Sequence, residues 1–150
     1  MNIATIGIDL AKNVFQLHGV NDHGKAVLRR QIHRGQMRGL FINLPPCVIG
    51  MEACASAHYW ARTLEGYGHT VHLIAPQFVR PYVKTHKNDA TDAEAICEAV
   101  SRPHMRFVPI KTIEQQSAFD PKPPPEHPKS NGMDAPTLLI GIDVPKWRCK

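Results

Sequence analysis

Residues 3–33, "IATIGIDLAKNVFQLHGVNDHGKAVLRRQIH", carry the reading that decides the fold. "IATIGIDL" (3–10) is rich in isoleucine and reads as a buried strand. In "VFQLHGV" (14–20), Phe15 and Leu17 alternate with Gln16 and His18, the period-two pattern of a half-buried strand. "NDHG" (21–24) is a turn signal, and "AVLRRQIH" (26–33) reads as a third strand. The chain opens as a β-meander.

Further along, the period changes. Gly35 and Gln36 lead into a short helix that stops before Pro45 and Pro46, and "CVIGMEA" (47–53) is another buried strand. Ala57, Trp60, Ala61 and Leu64 fall at helical spacing, with Ser56 as N-cap and Gly66 or Gly68 as the stop. "HTVHLIAP" (69–76) is strand-like. Ala93, Ile96, Cys97 and Val100 repeat the helical spacing before Pro103. "MRFVPI" (105–110) is extended, and "KTIEQQ" begins a helix. The expectation is an α/β domain over residues 1–116: a mixed sheet with an opening β-meander and flanking helices.

Beyond it, "SAFDPKPPPEHPKSNG" (117–132) holds five prolines, a composition expected of a disordered linker, here taken as residues 117–135. In the remaining tail, 136–150, "IGIDVPK" (140–146) matches "IGIDLAK" (6–12) at five of seven positions. Chance is the plain explanation for a match this short, and sequence from a neighbouring reading frame is another. The sharper reading is the start of a second, incomplete copy.

An apolar fraction of 43% supports a packed core. No run approaches the roughly 18 apolar residues of a membrane span, and "MNIATIGIDLAKN" lacks a charged region ahead of an apolar stretch. A cytoplasmic protein without a membrane partner is expected. Cys47, Cys54, Cys97 and Cys149 have no C-x-x-C spacing, which favours reduced thiols, Cys54 and Cys97 as small core residues. The nine histidines form no zinc-binding spacing. A net charge of +5 suits a polyanionic partner without requiring one.

Four carboxylates stand out. Asp9 ends the first strand and Glu52 follows "VIGM" in the same way, at the edge where α/β sheets build sites. Their plainer readings are a turn aspartate and a partner for Arg62. Asp89 and Asp92 open an apolar-periodic stretch. Asp89 as N-cap, or Thr91 with Glu94 as a capping box, would account for them by helix-start chemistry alone. Residues three apart also share a helix face, so both can point inward with Ile96. Together the four are hard oxygen donors without His or Cys, a set that suits Mg²⁺ or Mn²⁺. Two such ions clamp the attacking and leaving oxygens of a phosphodiester. Lys12, Arg80, Lys84 and Lys87 would then hold nucleic-acid phosphates; a solvated face is their plain alternative.

"IGIDLAKNVFQLHGV", "MEACASAHYWARTLEGYGHTVHLIAP", "VRPYVKTHKNDATDAEAICEAV" and "RFVPIKTIEQQS", in that order, resemble the N-terminal domain of the DEDD transposases of the insertion-sequence 110 family, relatives of the Piv invertase. The resemblance covers Ile6 to Gln116. It places the family's four acidic residues on Asp9, Glu52, Asp89 and Asp92. It implies an RNase H-like (RuvC-like) fold, a divalent-metal site, and DNA strand cleavage and transfer guided by a structured bridge RNA within a homo-oligomer. "CAS" (54–56) departs slightly from the family's small, Gly-rich turn. Members continue into a long helix and a second domain with a serine nucleophile. This chain has a proline-rich tail there, so the resemblance implies a truncated member, inactive alone, and assigns no role to Ser117 or Ser130.

Two other classes remain. One is a non-catalytic nucleic-acid-binding remnant, with apolar surface uncovered near Ile110 and Ile113. The other is a fragment of a sugar-kinase or actin-like phosphotransferase, which opens on a similar strand. That site needs glycines after the aspartate to cradle ATP phosphates, and here the next glycine is Gly19.

Overall fold

The structure, a computed structural model, describes residues 2–84 and 89–118, with the backbone alone described at Asp89. Lys87, the proposed linker from 119 onward and the second-copy tail lie outside the described residues.

Three antiparallel strands begin the chain: β1 (Thr5–Leu10), β2 (Val14–Val20) and β3 (Ala26–His33). The turn between β2 and β3 uses Gly24 at φ 73°, a backbone conformation that glycine adopts without steric cost. A 3₁₀ turn and α1 (Met37–Ile42) lead to β4 (Val48–Glu52), which pairs parallel to β1. Then follow α2 (Ala55–Glu65), β5 (Thr70–Ile74), α3 (Pro76–Val79), α4 (Asp89–Val100), β6 (Phe107–Val108) and α5 (Ile113–Ser117). Among the described residues the six strands form one sheet in the order β3-β2-β1-β4-β5-β6. An antiparallel meander continued by parallel strands is the RNase H-like mixed sheet that was expected.

Helices cover both faces, and alternation along the strands assigns the residues to each. Ile6 and Ile8 of β1, Phe15 and Leu17 of β2, and Ile49 and Met51 of β4 are buried in a cluster with Phe41 of α1 and Trp60 and Leu64 of α2. Phe15 and Trp60 meet edge to face, ring centroids 5.6 Å apart. On the other face, Ala95, Ile96, Ala99 and Val100 of α4 pack with Ile74 and Val79. Two glycines allow α4 to sit so low. A Cβ on Gly7 would collide with the backbone of Ala93 and Cys97, and one on Gly50 would stand 2.8 Å from the Cβ of Val100.

Some local expectations are corrected. Cys54, extended at φ −152° and ψ 174°, precedes α2, and Ser56 is a buried helical residue rather than the N-cap. Helix α4 begins at Asp89, so Thr91 and Glu94 lie inside it and form no capping box; the Glu94 carboxylate instead accepts from Lys84 at 2.6 Å. His18 is 5% exposed, because α4 closes the face that period-two alternation left to solvent. Helix α3, with Pro76 as its first residue, went unread in the sequence although proline favours that position. Of the apolar residues expected to be uncovered, Ile113 is 67% exposed, whereas Ile110 packs on the core.

Candidate functional site

The parallel pairing of β1 with β4 runs Thr5–Val48, Ile6–Ile49, Gly7–Gly50, Ile8–Met51. One further step along that register sets Asp9 beside Glu52, at the carboxyl ends of neighbouring strands. Asp9 lies two residues beyond Gly7, and Glu52 two beyond Gly50, so both share the α4 face. Both are half-buried. Asp9 also pairs across β2 with Gln16, which pairs in turn with Gln31 of β3, so polar side chains continue the row on that face.

Helix α4 crosses this face with Ala93 and Cys97 over Gly7 and Val100 over Gly50. Its first turn holds Asp89 and a half-buried Asp92. The incoming chain is tied by Lys84, whose ammonium group meets Glu94. That bond is the main cause holding the Glu94 carboxyl below its ordinary range. His18 lies beneath α4 with its pKa lowered, chiefly by burial, against the raising influence of Glu94. Glu94 was missed as a site neighbour in the sequence, since its partner Lys84 lies ten residues away, a separation with no local spacing signal.

Among the described side chains, which do not include that of Asp89, no three of His, Cys, Asp or Glu gather closely enough to hold a metal ion. What the described residues offer a cation is carboxylate oxygen, on a face where two glycines let α4 lie close to the strands at Ala93, Cys97 and Val100. Its chemistry fits a small divalent cation better than zinc or copper.

The expected phosphate-binding cations are placed less uniformly. Lys12 is exposed on the β1–β2 connection, three residues beyond Asp9, and Arg80 is exposed on the turn after α3. Lys84 is 67% exposed but engaged by Glu94.

The far side of the site is fastened to the chain's exit. Gln116 donates through Nε2 to the Ala55 carbonyl at 2.8 Å, immediately after the Glu52 strand end. Arg62 donates to the Lys111 carbonyl and, at 2.7 Å, to Gln116 Oε1. His58 Nδ1 accepts from the Lys111 N–H at 3.1 Å. Four hydrogen bonds therefore hold the approach to α5 against α2.

The DEDD transposase family of insertion sequence 110 matches residues 6–118. A probable family 20 transposase of Pseudomonas aeruginosa is 65% identical over 117 residues, covering 78% of this chain and 35% of that protein. The transposase of insertion sequence element IS1328 from Yersinia enterocolitica is 45% identical over 151 residues, covering 97% of this chain and 45% of that protein. The chain thus spans less than half the length of these relatives. RuvC of T. thermophilus, solved in complex with a Holliday junction substrate, superimposes with a TM-score of 0.48 at 12% identity over 66% of this chain and 92% of that one. No helix of the described residues is long and apolar enough to cross a membrane. The match over residues 6–118 means that this chain belongs to the insertion-sequence 110 family of DEDD transposases.

Proposed function

We propose that the chain is the metal-binding part of a DNA transposase, in which Asp9, Glu52, Asp89 and Asp92 hold Mg²⁺ or Mn²⁺ against a DNA phosphodiester. The observation that supports this reading is the β1–β4 register, whose next step beyond Ile8–Met51 sets Asp9 beside Glu52 on the face that α4 covers. When bound, the ion supplies charge neutralisation at the phosphodiester and orients its oxygens for in-line displacement.

The chain's own residues position and orient. Strands β1 and β4 fix the first two carboxylates, and the opening turn of α4 brings the second two on one helix face. Lys12 and Arg80 take DNA phosphates, contacts that fix position and carry no base sequence. Lys84 and Lys87 belong to the same approach, with Glu94 holding Lys84 until phosphate competes for it. Family membership supports three further parts of the proposal: a structured bridge RNA that directs the target, assembly into a homo-oligomer, and dependence on a second domain for strand transfer.

Calorimetric titration of the chain with Mn²⁺ tests this reading. Saturable uptake is expected, and it is lost in both Asp9→Asn and Asp92→Asn. Uptake unaffected by either substitution contradicts the site.

A further inference from the structure

Strand β3 is the outer strand of the sheet on the side away from β6. From Lys25 to Arg38 the chain carries Lys25, Arg29, Arg30, Arg34 and Arg38 and no Asp or Glu. Five cations in one segment equal the net charge of +5 of the whole chain, so the remainder is balanced. Lys25, Arg29, Arg30 and Arg38 are exposed. Arg38 is engaged, donating to the Tyr59 hydroxyl and lying 6.0 Å from the centre of its ring.

The strip joins the carboxylate edge through Arg34. Its backbone N–H donates to the Asn13 carbonyl at 2.9 Å and its side chain to the Lys12 carbonyl at 3.3 Å. The other terminal nitrogen of Arg34 is buried without a hydrogen-bond partner among the described residues. The described residues leave that donor open to a further acceptor. Positive side chains on an edge strand also serve to prevent sheets from joining edge to edge. That role needs one or two of them and does not require a link to the loop after Asp9.

We infer that Lys25, Arg29 and Arg30 on the β3 edge, with Arg34 and Lys12, form a binding surface for the backbone of duplex DNA that leads to Asp9 and Glu52. The choice of DNA rests on the proposed function; the surface rests on its own charge and connectivity. The contacts would be indifferent to sequence and strongly dependent on salt. Arg29 and Arg30 are neighbours on a strand, so their side chains leave on opposite faces and grip the backbone from both sides of the edge.

The test is the affinity of the full chain for a short DNA duplex, by fluorescence anisotropy, across a range of salt concentrations. Each phosphate contact adds about 0.9 to the slope of log affinity against log salt. Arg29→Gln with Arg30→Gln should lower the slope by about 2, whereas Arg29→Lys with Arg30→Lys should keep it. If the glutamine pair melts early, Lys25→Gln on the exposed turn replaces it and should lower the slope by about 1. Asp9→Asn should not lower the slope, so loss of the metal site and loss of this surface give different results. An unchanged slope in the folded glutamine variants overturns the proposal and leaves the cations a role in keeping sheets apart. A slope that responds only with structured RNA in place of the duplex overturns DNA as the occupant.

Discussion

Gly7 of β1 lies directly beneath Cys97 of α4, so closely that a Cβ on Gly7 would stand 2.8 Å from the Cys97 Cβ and nearer still to the helix backbone. That contact sets the height of α4 above the sheet, and in the proposed site it would govern how near Asp92 comes to Asp9 and Glu52. Gly7→Ala must push the helix backbone away, at an expected cost of about 3 kcal/mol. Gly50→Ala meets only the Val100 side chain, which can yield, and should cost about 1–2 kcal/mol. Urea denaturation of the two variants checks the ranking. Equal costs would mean that α4 is not seated on Gly7.

Acid should weaken the fold through two buried histidines. Burial lowers the pKa of His58 from its ordinary 6.5, helped by Lys111 and Arg62, and burial lowers that of His18 too. The unfolded chain therefore takes up protons near pH 6.5 that the folded chain refuses. Stability is fully present above that pH and declines as pH falls from about 6.5 toward the folded-state values. His58→Gln should flatten part of this decline in a series of melts between pH 5 and pH 8. A fold more stable at pH 5 than at pH 8 would contradict the sign.

Much of this architecture could be read from residues that act locally. The meander was legible because isoleucine-rich β1 is followed by the alternation of β2, which ends at a β2–β3 turn that uses Gly24. The placing of Asp9 and Glu52 near the ends of two strands was legible because each closes a run of apolar residues. What stayed hidden depends on tertiary approach. His18 looked solvent-facing until α4 covered it, and Ser56 looked like a cap because the apolar spacing shows only from Ala57, whereas α2 already begins at Ala55. The fastening of Gln116 to Ala55 spans 61 residues and leaves no local pattern.

That fastening can be released. Arg62→Ala removes the donors to the Lys111 carbonyl and to Gln116. The expected cost is about 1.5–3 kcal/mol, the range for hydrogen bonds from a charged group. Hydrogen exchange should accelerate at residues 111–117 while β1 and β4 stay protected. Uniform acceleration across the sheet would mean that the α2–α5 contact supports the whole domain.

The thiols separate by burial. Burial pushes Cys47 up to about 11 and Cys97 up to about 11, so neither is a thiolate at neutral pH. Cys54 is only half-buried. Among these three described thiols, alkylation at pH 8 followed by peptide mapping should label Cys54 first and reach Cys47 and Cys97 only in urea. Rapid native labelling of Cys97 would place α4 farther from β1 than Gly7 implies.

The central claim is that four carboxylates assemble around a divalent ion, and a thermal melt with and without Mn²⁺ or Mg²⁺ tests it most directly. A ligand at 100 times its dissociation constant stabilises by about 2.7 kcal/mol, roughly 5–10 °C in a domain of this size. The account predicts a rise of that order in the unaltered chain that disappears in Asp9→Asn. A cooperative melt at the same temperature with and without metal, in both proteins, would contradict it.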